Sequence, residues 1–289
     1  MILKIKGPEN TSMSGLRLEP VNIGKYQRPN KSYQIPDTKH IQYHTLMWSI
    51  FLKEVNLFLS SLVGYIAIGV FLLGTGLFMW VFPDYSVISY GFSSMDSLFS
   101  MAPYIFLFLI PAITMRSFAE EIQTGTIELL ATRPLSDWQI LMGKYLACLF
   151  LIVVSILPTF IYFFSIWELG LPKGNLDIGA TWGSYIGLFF LGAAFAAIGI
   201  FASSITKNQI VAFILGLFLC AFAYDAFSSI SRLPIFFGWA DTFVEGLGIN
   251  FHYASISRGL VDSRDLLYFF SIIAVFLFAT KTALEKRKW

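Results

Sequence analysis

The chain has 289 residues, 56% of them hydrophobic and 13% charged, with a net charge of +2. Soluble domains carry about 25% charged residues. A water-solvated core cannot absorb this apolar excess, so lipid must solvate part of the surface, and an all-α polytopic membrane protein is expected. The basic residues lie beside apolar runs rather than in a stripe, which argues against a nucleic-acid partner. Cys148 and Cys220 sit inside apolar runs, so no disulfide framework is expected. His40, His44 and His252 show no ligand spacing beside carboxylates, so neither a metal nor another cofactor is expected.

Residues 1–43 contain Pro8, Pro20, Pro29 and Pro36, scattered Lys and Arg, and no sustained apolar period. They read as a disordered cytoplasmic tail. Met47, where the membrane pattern begins, is one candidate for the natural start; a native tail is the alternative. From Thr45 to Ser61, polar Ser49, Lys53, Asn56 and Ser60 alternate at helical spacing with Met47, Ile50, Phe51, Leu57 and Phe58. That amphipathic pattern predicts an interfacial helix, or else an extension of the first span.

The rest, residues 44–289, reads as one transmembrane domain with six spans, at about 62–82, 98–116, 144–167, 181–204, 208–226 and 265–284. Each approaches the ~20 helical residues that a hydrocarbon core requires. The last is the shortest and needs Lys281 to reach the headgroups. Residues Phe227–Arg264 are too apolar for a solvated loop. Pro234–Trp239 predicts a dip into the interface and His252–Leu260 a second short helix, together a re-entrant segment on the outer side.

With both termini in the cytoplasm, sixteen of the twenty Lys and Arg lie inside, and only Lys173, Arg232, Arg258 and Arg264 lie outside. That asymmetry follows the positive-inside rule. Trp80, Trp167 and Trp182 then fall near the outer interface. Ala212, Gly216 and Cys220, and in the fourth span Gly192 with Ala196 and Ala193 with Ala197, form small-residue rows. Such rows mark helix contacts within the subunit, with a dimer seam as the alternative.

The segment from Arg116 to Lys144 is the one sizeable charged, turn-bearing stretch between two long apolar runs. Arg116 and Glu120 are placed to pair along a helix. Gly125 breaks that helix, Thr126 caps a short amphipathic one through Ile127, Glu128, Leu129 and Leu130, and Arg133-Pro134 ends it. Ser136 and Gln139 have capping-box spacing for the third span, with Asp137 at the positive end of its dipole. A short helix fixed at both ends to spans can transmit a push into them; an ordinary surface loop is the alternative.

Arg116-Ser117-Phe118-Ala119-Glu120-Glu121, Gly125-Thr126-Ile127-Glu128-Leu129-Leu130, Arg133-Pro134-Leu135-Ser136 and Gly143-Lys144 resemble the corresponding loop of ABC-2 type transporter permeases. Ser61–Tyr65, Thr181–Gly187, Asn208–Phe213 and Ser257–Asp265 are similar to the gliding-motility-associated (GldF-like) permease subunits of Bacteroidetes. The likeness runs from about Met47 to Trp289. It implies a permease of the inner membrane that moves its cargo outward and is driven by separate ATP-binding subunits. It also implies a second membrane subunit with a periplasmic domain, or self-pairing. Arg116, Glu120, Glu121, Gly125, Thr126, Glu128, Arg133 and Pro134 would form the ATPase-coupling loop, and Thr206, Lys207 and Asn208 a second cytoplasmic loop.

The chain carries no nucleotide-binding motif of its own. Gly143-Lys144 is followed by Tyr145 and has Trp138 where a P-loop's first glycine belongs, and Gly24-Lys25 is followed by Tyr26. ATP hydrolysis is therefore expected from a partner. An ATP-independent channel or secondary transporter, with Asp225 as its ionisable group, and a non-transporting scaffold of a motility or secretion machine are the alternatives.

Overall fold

The computed structural model describes residues 38–91, 93–126, 136–234, 238 and 240–286. Of the tail expected at 1–43, residues 1–37 lie outside the described residues, while 38–43 are helical rather than disordered; the short helix at 127–130 with Glu128, and Arg133 and Pro134, also lie outside the described residues. In chain order the helices are α1 (Thr38–Leu59), α2 (Leu62–Trp80), α3 (Val87–Tyr90), α4 (Asp96–Thr114), α5 (Arg116–Gln123), α6 (Asp137–Ile156), α7 (Phe160–Leu169), α8 (Ile178–Ile205), α9 (Gln209–Ala221), α10 (Phe227–Ser231), α11 (Asp241–Glu245), α12 (Ile249–Ile256) and α13 (Ser263–Glu285). No strand occurs among the described residues.

Among the described residues, five stretches are long and apolar enough to cross a membrane: Asp96–Gln123, Asp137–Leu169, Ile178–Ile205, Gln209–Ser231 and Ser263–Glu285. Met47–Leu59 and Gly64–Trp80 pass the same test together, bent by 66°, so the crossings number up to six if that pair is one span. The bend turns α1 away from the axis of α2 and brings Met47 and Ile50 against Gly143 of α6. Ser61 makes the corner, its hydroxyl accepting from Gly64 N–H while donating to Phe58 O.

Several boundaries differ from the sequence expectation for physical reasons. The stretch predicted at 98–116 continues through Gln123, because charged α5 packs on protein rather than turning into solvent. The one predicted at 144–167 starts at Asp137, where Ser136 and Gln139 form the expected capping box. It is then interrupted at Leu157–Thr159, where Pro158 lacks a backbone donor. The fifth runs to Ser231 rather than 226, through a π-helical turn at Phe222–Ala226, so Phe227–Ser231 belongs to this stack and not to a separate outer segment. In the expected dip at Pro234–Trp239 only Pro234 and Gly238 are described. The expected helix at 252–260 is α12, shifted toward its N-terminal side.

α8 is the axis of the fold. It packs against α4, α5, α6, α9, α12 and α13, and 78% of its apolar window is buried, against 17% for α13. Its 28 residues make a rod of about 42 Å. Small residues let so many neighbours approach one helix: Gly192 faces Ile152 of α6, and a Cβ on Gly199 would overlap the Thr114 side chain of α4. The row Ala212, Gly216 and Cys220 is buried too, with Gly216 against Pro111, Ala202 and Gly199. These rows therefore serve contacts inside the chain.

Replacing Gly199 by isoleucine is expected to force α4 and α8 apart and to lower stability by about 1–3 kcal/mol, as overpacking does. A downward shift of the thermal midpoint in detergent, absent in a Gly69→Ile control with open space around it, checks this.

Candidate functional site

At one end of the bundle α1, α5 and α6 meet around a single buried cation. Lys144 sits two turns into α6 and is 3% exposed. Its ammonium donates to Glu54 Oε1 of α1 at 2.9 Å, to Glu121 Oε1 of α5 at 2.9 Å and to the carbonyl of Ser117 at 2.7 Å. All three of its N–H donors are thus used. The Phe118 ring centroid lies 5.2 Å from the same nitrogen, adding a cation–π contact. Two carboxylates against one ammonium leave an excess negative charge. Lys53 offsets it from the solvent side, 3.5 Å from Glu121 Oε1 and 3.8 Å from Glu54 Oε1. Glu121 Oε2 is buried with no donor among the described residues.

A second tie lies beside the first. α4 stops at Thr114, Met115 turns, and α5 starts at Arg116. Starting a helix leaves N–H groups without intrahelical partners. Ser203 of α8 meets them from across the bundle: its hydroxyl accepts from Phe118 N–H and Ala119 N–H, each at 3.0 Å, and donates to Met115 O at 2.9 Å. One hydroxyl therefore fixes the α4–α5 joint to the central helix.

The sequence-predicted residues divide around these ties. Arg116 Nε pairs with Glu120 Oε2 at 3.3 Å on the more open side of α5. Glu121, one residue on, faces inward onto Lys144. Gly125 has φ +72, the left-handed conformation that glycine enters without strain, and α5 ends just before it. Thr126 lies within 3.0 Å of the Thr124 hydroxyl at that exit. Glu128, Arg133 and Pro134 fall outside the described residues. Thr206, Lys207 and Asn208 form the tight connection from α8 to α9, in which Asn208 Oδ1 caps α9 by accepting from Ile210 N–H at 2.8 Å. Asp225, the ionisable group of the channel reading, lies half-buried in the π-helical turn, far along α9–α10 from this connection.

Residues 84–243, more than half of the chain, match the family model described as ABC-2 family transporter protein. The chain belongs to this family. It is a membrane-spanning, multi-pass component of an ABC-type transporter. No curated protein matches it. The matched stretch contains Glu121, Lys144 and Ser203, whereas Glu54 and α13 lie outside it.

The sequence reading missed Glu54 and Ser203, and it took Lys144 as a loop charge and as part of the family pattern, not as a buried group with partners. A usable signal was present. Lys144 interrupts an otherwise apolar run, and a cation there requires a partner. Glu54 is the one acid between Thr45 and Ser61.

Removing one member of a buried ion cluster strands the others. Lys144→Met is expected to cost about 3–5 kcal/mol by leaving two largely buried carboxylates with only the solvent-side Lys53 near them. Adding Glu54→Gln and Glu121→Gln to that variant should recover most of the loss. Thermal unfolding of the single and triple variants in detergent checks this, and a triple variant no better than the single would contradict the electrostatic account.

Proposed function

We propose that the chain is the permease subunit of an ATP-driven ABC-2 exporter of the gliding-motility-associated type. In this reading it lies in the inner membrane with the Lys144 end in the cytoplasm, and it hydrolyses no ATP itself. Transporters of this family generally work with an ATP-binding subunit. The partner would dock on the exposed side of α5 and the segment that follows it. A second membrane subunit, or a second copy of the chain, would complete the pathway.

The observation that carries the proposal is the Lys144 junction, where one ammonium joins α1, α5 and α6. A force applied at α5 cannot move Glu121 without pulling on Lys144, and through it on the stretch Asp137–Leu169. The Ser203 bridge sends the same displacement into α8. Nucleotide-driven closure of the partner would thus tilt several crossings together rather than bend a loop. The resemblances at Ser61–Tyr65, Thr181–Gly187, Asn208–Phe213 and Ser257–Asp265 support the narrower assignment to gliding motility. The channel reading rests on Asp225, which has Arg232, Tyr104 and Tyr224 within electrostatic reach at the opposite end of the bundle from Lys144.

Docking and transmission are separable because Glu120 faces out and Glu121 faces in. Co-purification with the ATP-binding subunit, combined with ATP turnover, tests both. The native chain should retain the ATPase and alter its turnover. Glu120→Arg should lose the complex while the permease stays folded. Glu121→Gln should keep the complex but lose most of the effect on turnover. Failure of the native chain to bind the ATPase would sink the proposal, and equal retention by Glu120→Arg would remove α5 from the docking surface.

A further inference from the structure

At the end of the bundle opposite Lys144, α10, α11, α12 and the start of α13 enclose an open polar cavity of about 580 Å³. Three of the four basic residues that the topology leaves at this end, Arg232, Arg258 and Arg264, line it. Each is exposed, and none has a carboxylate within 4.0 Å among the described residues. Only Arg258 has a side-chain hydrogen bond among them, from Nε to Ala254 O at 2.9 Å, which leaves its terminal nitrogens available.

The cavity also contains acids, but two of the three are engaged elsewhere. Asp265 Oδ1 lies 2.7 Å from His252 Nδ1, and the other ring nitrogen is 2.9 Å from Gly246 O. Asp262 caps α13, with Oδ1 accepting from Arg264 N–H at 3.1 Å and from the Ser263 hydroxyl at 3.3 Å. The Arg264 backbone N–H is the main reason its carboxyl is held below the usual range. Glu245 is the one lining carboxylate without such a contact among the described residues. The donors thus converge while most of the negative charge is held in place by the protein.

Backbone geometry builds this arrangement. Gly259 has φ +84, and a Cβ there would overlap Ala180 of α8. Ser184 Oγ donates to Ser257 O at 2.7 Å in the same contact. That close approach turns the chain between α12 and α13 and places Arg258 and Arg264 on one cavity wall. Phe251 lines the cavity and is exposed, and Leu267, one turn beyond Arg264 on the same helix face, is exposed as well. An apolar path therefore leads from the arginines along the side of α13.

We propose that this cavity binds the phosphate group of an anionic amphiphile, with the guanidinium groups of Arg232, Arg258 and Arg264 on the phosphate oxygens and an acyl chain along Phe251 and Leu267. Guanidinium forks match phosphate oxygens in geometry as well as charge. Binding at this site does not depend on ATP coupling and would occur whatever drives the transporter.

The test uses the full chain, purified in neutral detergent and examined by native mass spectrometry. It is titrated with short-chain phosphatidylglycerol, short-chain phosphatidylcholine and inorganic phosphate. The native chain should retain phosphatidylglycerol about tenfold more tightly than phosphatidylcholine, and R232Q/R258Q/R264Q should lose that preference, as expected when charge-assisted hydrogen bonds are removed. K173Q, which removes the remaining basic residue at this end, should behave as native. R264Q alone should weaken retention in part, and it carries the test if the triple variant does not fold. Competition by inorganic phosphate at comparable concentration would support the phosphate site but assign it to a soluble anion. Equal retention by native and R264Q proteins, or equal loss in K173Q, overturns the proposal.

Discussion

A lysine buried among helices is tolerated only where the protein replaces the water it has lost. Lys144 meets that condition by drawing an acceptor from each of three places: Glu54 on α1, Glu121 on α5 and the Ser117 carbonyl one turn before Glu121. The requirement runs both ways, since each carboxylate is held inward by the same ammonium. α1 therefore cannot drift from α6, and α5 cannot continue straight out of the bundle. The 66° corner between α1 and α2, the break at Met115 and the inward face of α5 all answer to this demand.

An ion cluster in such surroundings contributes little net stability compared with a well-packed apolar alternative, while loss of one partner is costly. Its value lies in geometry. Apolar contacts slide with small changes in energy, whereas three hydrogen bonds on one ammonium fix distance and direction together. Ser203 does the same with neutral groups, completing the broken α4–α5 joint from a neighbouring helix. The two ties differ in what disturbs them: the first depends on charge, and the second on the hydroxyl alone.

Five of the crossings were legible in the sequence because apolar run length is a local property, and so were the capping box at Ser136–Gln139 and the turn at Gly125. Their ends were less legible. Asp137 and Arg116 lie within helices that run past the apolar run, since a charged residue can be helical when protein or headgroups receive it. Glu54 and Lys144 stand ninety positions apart, and amphipathic spacing on α1 says which residues are polar but not which one turns inward. The Glu120–Glu121 pair shows the same limit at one-residue scale: adjacent acids on a helix point about 100° apart, and only the position of Lys144 decides which is inside. Ser203 carried no signal, because a serine in a small-residue helix reads equally well as a packing residue.

The two ends of the molecule are joined by α8. Near its C-terminal end Ser203 holds the α4–α5 joint, and near its N-terminal end Gly183 and Ser184 meet Gly259 and Ser257. Both contacts leave little room for adjustment. A hydroxyl with three hydrogen bonds fixes the first, and two glycines too close for side chains fix the second. Between them α8 is an unbroken helix, whereas the stretch Asp137–Leu169 is interrupted at Pro158 and Gln209–Ser231 contains a π-helical turn. A displacement entering at Ser203 is therefore carried most directly along α8 to the α12–α13 turn, where Arg258 and Arg264 stand. The interrupted helices beside it have places to bend, and α8 has none, so relative motion at the far end is expected between α8 with its attached turn and the α9–α10 stack that carries Arg232. Arg232 and the other two arginines lie on opposite sides of that division, and the cavity between them is the part of the fold whose width such a motion would change.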